Sequence, residues 1–182
     1  MSRDFYQLCY EQYKQEMLEA DGLYQKAGVM LVVLPLLGAA EGALGRLDIL
    51  KLCFTRVDVF FFYAASLATV LALAISTALL FFCICPRRYK TLASMDVWHK
   101  WREDYQGYLN KTDRNGDVKA PALDDAMVMS LCNRLTEAQP ANAEINETRR
   151  KAFGRSVKTA AIALAAVGVQ ALFYVILKLQ GV

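Results

Sequence analysis

The sequence predicts an all-α integral membrane protein with three transmembrane helices and a helical cytoplasmic segment, and three observations predict it. Residues 27–45, 59–85 and 159–177 are apolar and hold between them a single charged side chain, Glu41. Each is long enough for a helix rising about 1.5 Å per residue to cross hydrocarbon, which takes about 20 residues. Everywhere else the chain is crowded with charge, and no stretch keeps the two-residue alternation of a half-buried strand. The mean hydropathy of +0.22 and the net charge of +3 average these two unlike populations. The expected organisation is a cytoplasmic helix over residues 1–26, a two-span hairpin over 27–85, a cytoplasmic helical segment over 86–158, and a third span with a short outside tail over 159–182.

The first element starts in the polar segment. Tyr6, Tyr10, Tyr13, Met17, Ala20, Tyr24, Ala27, Leu31, Leu34 and Gly38 are spaced alternately four and three apart, a heptad seam that runs from polar into apolar sequence without a phase change. One continuous helix is the simplest reading, with Gly22 and Pro35 as its weak points. The seam serves either self-association of identical chains or packing onto the chain's own other helices. Residues 46–58 mix charge with apolar side chains and are too short to span, which suits an interfacial turn. The second span opens on Phe60, Phe61, Phe62 and Tyr63 and closes near Phe81 and Phe82, aromatic rings placed where a helix meets headgroups. Pro86 marks its exit.

Lysine and arginine set the orientation. Arg87, Arg88, Lys90, Lys100 and Arg102 follow the second span and Arg149, Arg150, Lys151, Arg155 and Lys158 precede the third, whereas the loop between spans one and two has only Arg46, Lys51 and Arg56. By the positive-inside rule residues 86–158 are cytoplasmic, the N-terminal helix lies on the same side, and residues 178–182 lie outside. Within the cytoplasmic segment Trp98, Trp101, Tyr105 and Tyr108 form one aromatic stripe, either the core of a small helical bundle or a belt at the membrane surface. Asn115-Gly116 marks a turn. Leu123, Met127, Leu131 and Leu135 mark a helix that starts after Pro121 and ends near Pro140. A further helix from Ala141, with Ile145, Ala152, Phe153, Ser156 and Val157 inward, runs on into the third span.

The residues that carry chemistry are few. With one histidine, His99, and no cysteine pair at metal-ligand spacing, neither a metal nor another cofactor is expected, and no enzymatic reaction is indicated. The five cysteines are Cys9, Cys53, Cys83, Cys85 and Cys132; the third and fourth sit at a membrane end, where packing or S-acylation are the two readings. Asp113, Asn115 and Asp117 follow only the opening of a calcium loop, and their glycine falls too early.

Glu41 is an intramembrane carboxylate, by default a functional position, and Gly38 and Gly42 flank it in the G-x-x-x-G spacing that admits a close neighbouring helix. Ala64, Ala68, Ala72 and Ser76 form a second small-residue ladder, and the third span offers Ala161, Ala165 and Gly168. Gly38, Glu41, Gly42, Ala64, Ala68 and Ala72 are therefore the helix-packing or pore candidates. Arg149, Arg150, Lys151, Arg155 and Lys158 are candidates for anionic headgroups or a phosphate ligand, each charge contributing about 1 kcal/mol near an anionic surface.

A cytoplasmic helix entering the first span through Tyr24-Gln25-Lys26-Ala27-Gly28, a tight hairpin, and a helical region re-entering through Asn142-x-x-Ile145-Asn146-x-x-Arg149-Arg150-Lys151-Ala152-Phe153 resembles small multi-span effectors of bacterial antiphage systems. These are SLATT-like proteins and relatives encoded with retrons or cyclic-nucleotide-signalling enzymes. The resemblance is one of architecture over most of the chain; many such proteins have two spans or an added sensor domain, where this chain has a third span. It implies a multi-pass protein of the bacterial inner membrane that self-associates after infection and permeabilises or depolarises the bilayer. It further implies a defence-system partner protein or a nucleotide signal, with nucleic acid not expected as a partner. The alternative functions are a non-conducting structural or adaptor protein, or a ligand-sensing regulatory subunit.

Overall fold

The three apolar stretches lie on three of four helices: α1 (Arg3–Gly45), α2 (Val57–Ile84), α3 (Met95–Thr112) and α4 (Ala120–Leu179). The computed structural model describes residues 3–45, 57–112 and 120–180, and no strand occurs among the described residues. Helices α1, α2 and α4 each contain a window long and apolar enough to cross a membrane, so the chain is an all-α, multi-pass membrane protein. The expected turn over residues 46–58 lies outside the described residues except for its last two positions, which open α2; residues 113–119, with Asp113, Asn115, Gly116 and Asp117, also lie outside them.

The chain divides into two units, and each groups pieces distant in sequence. One takes Met1–Ala20 and Arg87–Asn146, the other Asp21–Pro86 and Glu147–Val182. The start of α1 thus groups with the polar segment, and residues 147–158 group with the apolar stretches.

Helix α1 is continuous, as the heptad spacing predicts, and Pro35 lies exposed within it. The buried seam differs from the expected one by half. Ala20, Ala27 and Leu34 are buried as expected, and Glu41 continues their seven-residue column. The second column is Cys9, Leu23 and Met30, one position before the expected Tyr10, Tyr24 and Leu31, which are exposed.

Helix α4 corrects a second expectation. It runs through Pro140 for 60 residues, merging the two expected helices and the third span. A proline inside a helix costs about 3 kcal/mol because it removes one hydrogen bond and crowds the preceding turn. Here Pro140 and Thr136, whose carbonyl loses its donor, are both exposed, so water can reach that carbonyl. Leu123 and Leu135 are buried as expected, Met127 and Leu131 only partly. Ala152 and Ser156 are buried, Ile145 and Phe153 partly, whereas Val157 points outward at 40% exposure.

In the polar unit, residues 87–94 are held to α4 by asparagines. Asn142 donates to the Lys90 carbonyl at 3.0 Å and accepts from the Lys90 N–H at 2.9 Å. Asn146 accepts from the Tyr89 hydroxyl at 2.7 Å and donates to the carbonyl and carboxylate of Glu16 on α1 at 2.8 and 2.9 Å. The Ser94 carbonyl accepts from the Val97 and Trp98 amides to start α3. The aromatic stripe is in contact along its length: buried Trp98 meets Trp101 edge-on, Trp101 lies parallel to Tyr105 with centroids 5.2 Å apart, and Tyr108, tilted against Tyr105, is 62% exposed. Buried Cys9 adjoins buried Cys132, whose thiol is pushed up from its ordinary value by burial first and by Cys9 second.

Candidate functional site

In the membrane unit the polar side chains, more than the apolar ones, turn inward. Lipid is as apolar as leucine, so an aliphatic side chain gains little by leaving it, while a hydroxyl, amide or carboxyl must find a partner inside. The interior face of α2 is accordingly Val59, Phe62, Ala65, Thr69, Ala72, Ser76, Leu80 and Cys83. Leu67, Val70, Leu71 and Ile75 stay on the outside.

Glu41 stands at the junction of all three helices. It is 9% exposed, and its Oε1 accepts from Ser66 Oγ of α2 at 2.5 Å and from Gln170 Nε2 of α4 at 3.3 Å. Gln170 is fully buried and is the one amide side chain in the three apolar stretches. Glu41 Oε2 and Gln170 Oε1 are buried without a hydrogen-bond partner.

A second contact brings two backbones together. Ser76 Oγ donates to the Ser156 carbonyl at 2.8 Å and Ser156 Oγ donates to the Ser76 carbonyl at 2.9 Å, with the two hydroxyls 3.0 Å apart and both residues fully buried. Such reciprocal bonds require small residues, because any longer side chain would hold the helices apart. Apolar contacts complete the unit: Ala27, Met30, Leu34, Leu80 and Ala160 form one cluster, Val59, Phe62 and Leu177 another, and Phe61 stacks on Phe173.

Arg149 departs most from expectation. It is 1% exposed; its Nε donates to the Cys83 carbonyl at 2.7 Å and its guanidinium lies 4.2 Å from the centre of the Tyr24 ring. The physical reason is the end of α2. The last carbonyls of a helix have no donor within it and carry its negative dipole, and α2 has no basic residue in its own last turn. Arg149 supplies both donor and cation, so it links α1, α2 and α4 and does not face a headgroup. Of its neighbours, Arg150 and Lys151 are exposed and both pair with Glu147. The hydrogen bond from Arg150, then that from Lys151, holds the Glu147 carboxyl below its ordinary value. Arg155 and Lys158 are exposed.

The glycine and alanine candidates divide. Ala72 is buried at the α2 interior face, but Ala64 and Ala68 are exposed, the buried positions being Ala65 and Thr69 one residue on. Gly38 and Gly42 are exposed too, and a Cβ built on either meets nothing within 4 Å. The G-x-x-x-G face therefore packs no helix among the described residues; Glu41, between the two glycines in sequence, lies at the edge of that face and turns in toward α2 and α4.

In the polar unit a cleft of about 610 Å³ is lined by Lys90, Trp98, Trp101, Arg134 and Glu137 among others. No group of three or more metal-ligating side chains occurs among the described residues.

Sequence reasoning singled out Glu41 but missed its partners Ser66 and Gln170, as well as Ser156 as a partner of Ser76. A signal was present: each is a polar residue in or next to an apolar stretch. Arg149 was legible too, since Asn142, Asn146, Arg149, Ala152 and Ser156 recur three or four apart on one face of α4. No family model, curated protein or solved structure matches the chain.

Proposed function

We propose that this protein is a membrane effector that self-associates and permeabilises or depolarises the bacterial inner membrane, with its N-terminus cytoplasmic. The supporting observation is the surface that the chain leaves unused. Gly38 and Gly42 on α1 and Ala64 and Ala68 on α2 are small, exposed and unneeded for packing within the chain. In lipid such faces associate by close backbone approach. A second copy is the partner that matches them, because small-residue faces pair with one another. The architectural resemblance to antiphage effectors supplies the setting, defence by abortive infection, and its partner protein or nucleotide signal.

Two observations favour other readings. The seam of α1 is occupied by the chain's own packing at Ala27, Met30 and Leu34, as a non-conducting adaptor would have it. The cleft between Trp98, Trp101, Lys90 and Arg134 suits a ligand-sensing subunit.

The test is to induce the gene alone and beside its native neighbours while following membrane potential and growth. The effector reading expects depolarisation, and expects Gly38→Leu to abolish it at equal membrane levels, since that side chain obstructs only an external contact. A chain present in the membrane that never depolarises it under any trigger supports the adaptor reading instead. A reporter fused after Val182 checks orientation: cytoplasmic activity there contradicts it.

A further inference from the structure

We infer that Glu41 and Gln170 form an intramembrane proton-binding site, in which one proton is held between Glu41 Oε2 and Gln170 Oε1. A carboxylate offers only acceptors, whereas a carboxylic acid has one donor, and a primary amide has both donor and acceptor. Gln170 Nε2 already donates to Glu41 Oε1 at 3.3 Å. The two buried atoms left without partners are the other oxygen of the same carboxyl and the oxygen of the same amide, two acceptors with no hydrogen to share. A single proton on Glu41 Oε2 converts both into one hydrogen bond and closes the ring in which an acid and an amide exchange O–H and N–H donors.

Charge points the same way. Residues 27–45, 59–85 and 159–177 contain no lysine, arginine or histidine, so an ionised Glu41 has no cation in the spans to offset it. An isolated charge in an apolar interior is costly enough that such groups are held neutral. Ser66 adds a hydroxyl, not a charge. Among the described residues, the titratable groups that flank Ser66 and Gln170 along the packed helices are Asp58 and Tyr63 on α2 and Tyr174 and Lys178 on α4; both tyrosines pack against the Val59, Phe62 and Leu177 cluster. Because Glu41 touches both neighbouring helices, loss of its proton places a bare charge at the junction of all three. Proton occupancy is therefore coupled to the packing of the membrane unit. The inference stands on that packing and not on permeabilisation, and it holds equally for an adaptor.

The test uses the full chain in phosphatidylethanolamine and phosphatidylglycerol vesicles at neutral pH. Dicyclohexylcarbodiimide adds to a neutral carboxyl in an apolar site: the acid proton goes to nitrogen and the carboxyl oxygen bonds to the carbodiimide carbon. Mass spectrometry then locates the adduct. Labelling at Glu41, undiminished by sodium chloride, is expected; no label at Glu41, or suppression by sodium, overturns the proposal, the latter in favour of a sodium site. Infrared spectroscopy gives a second readout. The wild type should show the C=O stretch of a protonated carboxyl, absent in Glu41→Gln, whose amide pairs with Gln170 without a proton and so preserves the fold. In Gln170→Leu the band should shift upward as the carbonyl loses its N–H donor. A carboxylate band in place of the acid band, or an acid band unmoved by Gln170→Leu, refutes the pairing.

Discussion

Replacing Ser156 probes a direct contact between α2 and α4, and two substitutions there should differ sharply. Ser156→Ala removes the bond that Ser156 Oγ donates to the Ser76 carbonyl at 2.9 Å, while the Ser156 backbone carbonyl still accepts from Ser76 Oγ at 2.8 Å. Interhelical hydrogen bonds in membranes average about 0.6 kcal/mol, so the alanine variant should lose about 1 kcal/mol or less. Ser156→Leu loses the same bond and forces a larger side chain into a contact where both residues have no exposed surface. Overpacking of this kind costs about 1–3 kcal/mol, which brings the total to about 2–4 kcal/mol. Titration with sodium dodecyl sulfate in mixed micelles, followed by circular dichroism, measures both. The order leucine well below alanine, with alanine near wild type, is the signature of backbones in contact. If leucine is tolerated as well as alanine, α2 and α4 do not approach at Ser76 and Ser156, and the packing argument fails with them.

Other outcomes follow from the same contacts. Arg149→Lys keeps a charge but loses the planar stack on Tyr24 and the aligned Nε donor, and should cost about 1–2 kcal/mol in the same titration; a neutral effect removes Arg149 as the cap of α2. Asn142→Ala frees both backbone groups of Lys90, so hydrogen exchange at the Lys90 amide should quicken by about tenfold, equivalent to about 1.4 kcal/mol, while unchanged exchange would mean the strap is held elsewhere. Cys132 is buried and its thiol is pushed up, so its reactive thiolate appears only at higher pH than that of an ordinary thiol. Maleimide should accordingly modify exposed Cys85 before buried Cys132, and the reverse order would contradict the burial.

How far the sequence alone reaches is clearest on α1 and α4. The spans were legible because apolar runs free of charge have one physical meaning, and the continuity of α1 was legible because its heptad spacing never breaks. Which side of the seam faces inward was only half legible. Leu31, Val32, Leu34 and Leu36 are equally apolar, yet only Leu34 is buried, because lipid accepts the others without cost. Hydropathy marks a span's length, not its interior. The interior is marked by what lipid refuses, namely Glu41, Thr69, Ser76, Ser156 and Gln170, all 9% exposed or less. Arg149 was legible only by its position on the helix: in a group of five cations composition cannot single one out, and its phase with Asn142 and Ser156 does. Pro140 misled because a proline ends a helix only where its cost is not offset, and the asparagine contacts on either side of the following turn hold α4 in place.

Ion flux through vesicles that contain the purified chain at increasing protein density tests the central claim most directly, with Gly38→Leu measured alongside. If copies associate through the unused faces to permeabilise the bilayer, flux should rise more steeply than in proportion to protein density, and Gly38→Leu should abolish it while leaving the fold unchanged. Vesicles that stay sealed at every density, with the chain inserted, folded and supplied with its native partners, would contradict the claim.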